Sequence, residues 1–288
     1  MRTDYRIMKK ATAILLLVIV SFNSYSQKDS LNSNRKKGSF YFVWGYTRAW
    51  YSKSDIHISD HSGKIRNNNT GVPTDYDFTV YNASASDRPD FRGIVDVVNI
   101  TIPQFIAHAG YYFNNKQDIG IEINYDHAKY VVNDYQKVHV KGTFNGNSVD
   151  KDTVLDPKNF LHFEHTDGAN FWIVNFLKRW KFYNPSKMLH IGWVAKAGPG
   201  IVYPRTDVTI FGERLNNNWH LAGWIVGLET GLRVEFLKYG VFEFTGKGSY
   251  ANYMKVLVLG KGNGKANHTF FTGQLSATIG LKIGGTKN

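Results

Sequence analysis

Histidines and carboxylates gather near the ends of two alternating segments of this sequence. Imidazole nitrogens and carboxylate oxygens bind divalent metals, and both can act as a general base. The residues that we place together near one rim of the expected fold are His127, His162, Glu164, His165, Asp167 and His220. Solvated or hydrogen-bonded side chains explain most clusters of this kind. We therefore predict no catalytic residue, metal or cofactor from them.

The element that must position such residues is clearest in the stretch His220–Phe236. One parity of this stretch is almost entirely apolar, and the other carries Glu229, Arg233 and Glu235. A strand separates the two sets cleanly because successive side chains point to opposite faces. Strands of globular proteins usually run to about 5–6 residues, whereas a strand that crosses a bilayer needs roughly 9–11. The stretch therefore predicts a membrane-spanning strand.

Seven further long segments fit the same description. Together the eight predicted strands are 39–51, 103–113, 118–132, 161–183, 188–203, 220–236, 240–258 and 268–284. Their connections alternate between long and short, as in outer-membrane barrels, where the short turns are periplasmic and the long loops extracellular. The sequence thus predicts an all-β fold, an eight-stranded antiparallel up-and-down transmembrane β-barrel over residues 39–284. The long extracellular loops are expected at 52–102 and 133–160, and Tyr76–Tyr81 could form a hairpin with Asp55–Ser59.

The N-terminal region predicts export. Basic residues precede a short apolar run in residues 1–26, which we interpret as a cleaved signal peptide, and residues 27–38 read as a flexible periplasmic lead-in. Removing residues 1–26 lowers the formal net charge from +12 to +9, because four bases and one acid are lost. The bases form no dense patch, so nucleic acid is not expected as a partner. Outer-membrane lipid and lipopolysaccharide are the expected partners of a monomer in the Gram-negative outer membrane.

The barrel interior is predicted to be plugged by paired charges, because eight strands enclose a space that side chains fill. If Phe236 pairs with Gly240, then Arg233 faces Glu243 and Glu229 faces Lys247, and both pairs should be salt bridges. The other polar residues expected in the lumen are Glu122, Asn124, Asp126, Lys196, Glu235 and Lys282. The alternative is a narrow proton or ion path.

Parts of the sequence resemble an uncharacterised Bacteroidota-type family of small outer-membrane β-barrel proteins. The resemblance is carried by Val43–His57, Tyr76–Thr79, Phe163–Gly168 and Tyr203–Asp207. It covers most of the mature chain and implies location and fold only. More remotely, the layout is similar to OmpA/OmpX-type eight-stranded barrels.

Two functions of different class follow. The first is a small non-enzymatic, porin-like barrel that is structural or binds a surface ligand or protein through its long loops. The second is an outer-leaflet enzyme that modifies lipid A or glycans with the rim histidines. His165-Thr166-Asp167 faintly resembles the His/Ser sites of lipid A deacylase barrels, but the His-x-Ser-Asn run is absent. No Gly-x-Ser-x-Gly motif is present, and the chain has no cysteine.

Overall fold

The computed structural model describes residues 38–66, 70–71, 73–88, 104–114, 118–165, 167–186, 188–258 and 264–284. The proposed signal peptide and all but the last residue of the lead-in lie outside these residues. The described part of the chain is built from antiparallel strands. The described residues contain no helix that is long and apolar enough to cross a membrane.

Eight of the described strands close into a barrel. In chain order they are β1 (Ser39–Tyr51), β5 (Phe105–Asn114), β6 (Ile119–His127), β11 (Phe171–Ser186), β12 (Leu189–Val202), β15 (Gly223–Phe236), β16 (Gly240–Leu257) and β17 (Lys265–Gly284). Each pairs with the next one along this series, always antiparallel. The circle closes because β1 also pairs with β17 over its whole length, from Ser39↔Gly284 to Tyr51↔Thr272. The predicted fold class is confirmed.

Large apolar side chains cover the outer face of these strands, in a band that we call the waist. Leu228 is 61% exposed, Ile279 59%, Ile121 47% and Trp224 41%. In water such a continuous apolar surface would be unfavourable, whereas a bilayer requires it on the lipid side. The alternation found in the sequence therefore sets which side of each strand is apolar, as predicted.

The remaining described strands form an extension beyond one end of the waist. They are β2 (Ser54–Arg66), β3 (Pro73–Ala83), β4 (Ala85–Ser86), β7 (Tyr130–Val132), β8 (Lys137–Phe144), β9 (Asn147–Val154), β10 (Leu161–His165), β13 (Asp207–Ile210) and β14 (Glu213–Asn216). One sheet continues from β17 through β2, β3 and β8 to β9. A second continues from β1 through β4, β7, β10 and β13 to β14.

The extension differs from the polar loops that the sequence predicted. The hairpin between Asp55–Ser59 and Tyr76–Tyr81 is present, with Ile56 opposite Val80. However, the second loop also contains a hairpin, β8–β9, and the connection between the predicted strands 188–203 and 220–236 contains the hairpin β13–β14. The alternating runs within these segments are short and are interrupted by charged residues, so their sequence pattern is typical of loops.

Two predicted strands are each divided in two. The segment 118–132 is interrupted at Ala128 and Lys129, so that β6 stays in the barrel wall and β7 pairs with β4 and β10 of the extension. The segment 161–183 was expected to be continuous, but it is interrupted between β10 and β11, where Gly168 and Asn170 have φ angles of +95° and +47°. This left-handed region favours glycine and tolerates asparagine. As a result β10 leaves the barrel wall and pairs with β7 and β13 of the extension.

Candidate functional site

The most concentrated chemistry in the described residues lies inside the waist, in the space that we call the lumen. Strands β15 and β16 have the register expected from the sequence, with Phe236 opposite Gly240. Arg233 Nη1 lies 2.5 Å from Glu243 Oε1, and Lys247 Nζ lies 3.3 Å from Glu229 Oε2. Both predicted ion pairs are present, and all four side chains are buried.

Lys196 is the centre of this network. Its Nζ lies 2.9 Å from Glu122 Oε2, 2.8 Å from Glu243 Oε2 and 3.2 Å from Glu229 Oε1. The same ammonium lies 3.2 Å from His108 Nδ1. Ligand atoms of His108, Glu122 and Glu243 are close enough to hold a metal ion. The ammonium already contacts all three residues, so the structure supplies its own cation at this place.

A second group of charges lies nearer the end of the waist opposite the extension. Glu235 contacts Arg179 and Lys282 and accepts a hydrogen bond of 3.1 Å from Arg233 Nε. The Arg179 guanidinium also pairs with Asp118 at 2.5 Å. A planar guanidinium with five donors can satisfy two carboxylates at once. Arg179 was missed by the sequence reading, although it continues the inward parity of Asn175 and Leu177 on β11.

Two tyrosine rings contribute to the same layer of the lumen. The guanidinium of Arg233 lies 4.1 Å from the centre of the Tyr41 ring, and that of Arg179 lies 4.2 Å from the centre of the Tyr112 ring. Both distances suit a cation–π contact, which strengthens when the pair is desolvated. The Tyr41 hydroxyl also donates a 2.5 Å hydrogen bond to Glu122 Oε2. Aromatic faces and carboxylates together surround the buried cations.

Towards the extension, the lumen becomes less charged. Lys247 Nζ lies 2.8 Å from Asp126 Oδ2 and donates to Asn124 Oδ1 at 2.9 Å. Gln274 donates to Asp126 Oδ2 at 3.2 Å. The ten residues that the sequence assigned to the lumen thus all lie in it, nine of them buried and Lys282 partly buried.

Above this polar layer the interior is apolar. Buried residues of both extension sheets form one cluster with the outer ends of β11, β15, β16 and β17. Phe78 packs against Phe144 with ring centres 5.0 Å apart, and Tyr130 stacks on Phe270 at 4.6 Å. This cluster closes the outer end of the lumen with side chains that offer no path for an ion.

Two histidines are buried in that apolar cluster. His165 Nε2 and His268 Nε2 are 3.2 Å apart. Their other ring nitrogens face hydroxyls, Thr206 Oγ1 at 3.1 Å and Ser54 Oγ at 3.5 Å. Burial lowers the pKa of His165, which lies on β10 of the extension, well below its usual value. The His165 ring is therefore neutral at physiological pH, and the two rings share one hydrogen bond.

The six residues that we expected to form a rim cluster are not brought together. His165 lies in the apolar cluster, where it is completely buried. Asp167 pairs with Arg205 at 2.5 Å, and Glu164 pairs with Arg88 at 2.6 Å. The expectation of one cluster was wrong because the interruption between β10 and β11 sends consecutive side chains to different surroundings.

Of the three other members, only His162 contacts a residue of the expected cluster, with its Nε2 3.6 Å from Glu164 Oε2. His127 Nδ1 donates to Asn170 Oδ1 at 2.8 Å. His162 Nδ1 lies 2.7 Å from Asp134, and hydrogen bonds to Glu164 and Asp134 raise the pKa of His162. His220 contributes its backbone N–H to Pro204. None of these contacts presents a nucleophile to an accessible base among the described residues.

Closure, an apolar outer band and an ion-paired interior define the class of fold, a small transmembrane β-barrel with a filled lumen. No family model and no curated protein matches the sequence. Among solved structures, the chain is similar to Ail, the attachment invasion locus protein of Yersinia pestis, at 11% identity. That match covers 85% of this chain and 99% of Ail, with a TM-score of 0.33.

Two further solved structures are similar at the same level. Neisserial surface protein A is 12% identical over 84% of this chain and 97% of its own, with a TM-score of 0.34. The outer membrane protease OmpT from Escherichia coli is 8% identical over 88% and 99%, with a TM-score of 0.33. The fold assignment rests on the strand pairing described above and not on these likenesses.

Proposed function

We propose that this chain is a non-enzymatic, non-conducting protein of the Gram-negative outer membrane that binds a surface ligand or partner through its extension. The observation that carries the proposal is the filling of the whole interior. Lys196 and its three carboxylates occupy the lumen, and the apolar cluster closes it on the side of the extension. The outer surface of the extension is then the part left to meet other molecules.

The exposed face of the β8–β9 hairpin supports this role. Lys137 pairs with Asp152 at 3.2 Å and Lys141 with Asp150 at 2.9 Å, while His139 lies between the two carboxylates. Exposed pairs of this kind contribute little to stability, with a median of about 0–1 kcal/mol. The fold does not depend on them, so this polar surface is free to serve recognition.

The enzymatic alternative, modification of lipid A or glycans by the histidines, receives no support from the geometry. A general base must lie within hydrogen-bond reach of the proton that it removes. His165 has no exposed surface, and both of its ring nitrogens are occupied. Catalysis would require that the apolar cluster open.

Planar-bilayer recordings of the purified protein test the filled lumen. We expect no sustained conductance from the wild type, with a large open porin as the positive control. Steady ohmic current from correctly folded wild-type protein would overturn the proposal. Mass spectra of lipid A from cells with and without the protein should be identical, and loss or gain of an acyl chain, phosphate or sugar would restore the enzymatic alternative.

Substitution of the exposed charges of the β8–β9 hairpin tests the binding surface. Excision of the hairpin would also remove Val138 and Val140 from the apolar cluster, so the matched variant is the quadruple substitution K137Q/K141Q/D150N/D152N, which changes only exposed side chains of the hairpin. On an array of bacterial and host glycans and matrix proteins, the wild type should bind at least one probe, and the substituted chain should lose most of that signal. Absence of binding by the wild type, or equal binding by both, would contradict the assigned surface.

A further inference from the structure

Three glycines on the lipid-facing side of the waist are not required by barrel packing. At most glycines in the barrel wall a Cβ atom would collide with a neighbouring backbone, for example at 1.8 Å for Gly198 and 1.9 Å for Gly280. At Gly248 and Gly273 an added Cβ would meet nothing within 4 Å, and at Gly246 it would meet only one atom, at 4.0 Å. The missing side chains therefore shape the outer surface instead of the wall.

Two of these glycines, Gly248 and Gly273, form the floor of a groove. Gly248 and Gly273 are opposite each other in the β16–β17 register, so their bare backbones lie side by side. The groove has a volume of about 810 Å³. Its walls are apolar side chains of the outer face, Trp50, Val226, Leu228, Tyr250 and Phe271. Elsewhere on these strands the outward positions carry large residues such as Phe242 and Phe244.

The groove lies at the end of the waist next to the extension. Trp50 pairs with Gly273 on one side and with Ser86 of β4 on the other. Tyr51 is the last residue of β1. If the extension is extracellular, the groove opens into the outer leaflet. Its surroundings there are acyl chains, and a concave apolar surface gains packing contacts from a chain that fits into it.

A lysine directly follows the groove-lining residues Tyr51 and Ser52 in the sequence. Ser52 borders the groove and is fixed to Phe271 by two hydrogen bonds, from its N–H at 2.8 Å and to its hydroxyl at 3.0 Å. The next residue, Lys53, is exposed. An ammonium at the membrane surface attracts anionic headgroups. The apolar floor of the groove and the lysine beside it together match a ligand that has an apolar chain and an anionic headgroup.

We infer that this groove binds one acyl chain of a phosphate-bearing lipid of the outer leaflet, with the headgroup phosphate held by Lys53. The assignment rests on the membrane location proposed above. It gives the waist a specific lipid site, whereas the remaining outer surface makes only the general contacts of any transmembrane strand.

Native mass spectrometry of the folded protein in a mild detergent tests the site, with palmitoyl-oleoyl phosphatidylglycerol and phosphatidylcholine as probes. We expect one lipid to remain bound, phosphatidylglycerol in preference to phosphatidylcholine. G248L and G273L should each weaken binding of both lipids at least tenfold, because the new side chain fills the groove. K53Q should remove only the preference for phosphatidylglycerol.

A109L is the matched control, since Ala109 is a small exposed residue on the outer face of β5, opposite Phe42 and Ile123. It should bind lipid like the wild type. Equal binding by G248L and the wild type would overturn the inference. So would a wild-type dimer that carries no bound lipid and that dissociates in G248L. Insertion into vesicles is measured on the same preparations. A wild type that does not insert refutes the membrane location, whereas one that inserts and retains no lipid refutes the groove alone.

Discussion

Lys196 and His165 are both completely buried, yet they are accommodated in opposite ways. Lys196 keeps its charge and is surrounded by three carboxylates of the lumen. His165 lies among aromatic rings, and burial lowers its pKa so that the imidazole is uncharged. The difference teaches how each region obtains its stability. The lumen is polar because the apolar sides of its strands face lipid, whereas the extension has water outside and must build an apolar core.

Among the substitutions that test this comparison, that of Lys196 should have the largest effect on stability. We expect K196M to destabilise the folded barrel by about 3–5 kcal/mol, because removal of one partner leaves buried carboxylates without a counter-charge. Urea unfolding from lipid vesicles, followed by tryptophan fluorescence, measures the change. K282M is the control, since Lys282 is partly exposed and Glu235 keeps its contacts with Arg179 and Arg233. A K196M barrel as stable as the wild type would mean that the lumen charges are not coupled.

A cavity in the extension should act on that region alone. Truncation of a buried Phe typically costs about 3–5 kcal/mol, so F78A should open the extension to limited proteolysis while the waist remains folded. The comparison is with F176A, whose ring lies on the lipid-facing side and is 58% exposed. If F78A unfolded waist and extension together, the two regions would be one cooperative unit.

Acid should separate the regions by charge. Burial holds the pKa of His165 well below its usual value, so below about pH 6.5 the unfolded chain binds a proton that the folded chain does not bind. The free energy of unfolding of the extension therefore falls as the pH is lowered below about 6.5, by at most about 1.4 kcal/mol per pH unit. The raised pKa of His162 works in the opposite sense and favours the folded state below neutrality.

Proteolysis of the extension across pH 7 to 4 measures this slope. H165F should flatten the slope by removing the buried imidazole, while H139Q, at a partly exposed position, should leave it unchanged. A slope that is the same in all three proteins would contradict the assignment of a neutral buried histidine at position 165.

The smallest effect is expected on the exposed hairpin. Asp150 is fully exposed and pairs with Lys141 at 2.9 Å. D150N should leave the unfolding midpoint of the extension unchanged at ordinary salt, since water and ions screen such a pair. A clear fall in the midpoint would show that the surface charges support the fold and are not reserved for recognition.

The barrel could be predicted from sequence because one rule, the alternation of side chains in long strands, sets both its outer face and its lumen. The β15–β16 register followed from a single short turn, and with it the pairs Arg233–Glu243 and Glu229–Lys247. Arg179 was open to the same rule but was not recognised, because Lys178 and Lys181 beside it obscure the parity of that segment.

The extension could not be predicted in the same way. Seven of its nine described strands have eight residues or fewer. Several of its pairings also join residues that are distant in sequence, such as Leu161 with Ile210 and Ser86 with Val131. Contacts of this kind depend on tertiary packing and leave no local periodic signal. The pairing of His165 with His268 across 103 positions is of the same type, and a cluster based on nearness in sequence was therefore misplaced.

Cysteine labelling tests most directly whether lipid covers the waist, since the chain has no cysteine of its own. Single variants L228C and I279C, on the outer band, are reconstituted in vesicles beside K141C on the extension. With a membrane-impermeant maleimide, we predict rapid labelling of K141C and little or none of L228C and I279C until detergent and urea unfold the barrel. Labelling of L228C and I279C as fast as K141C in intact vesicles would contradict the account.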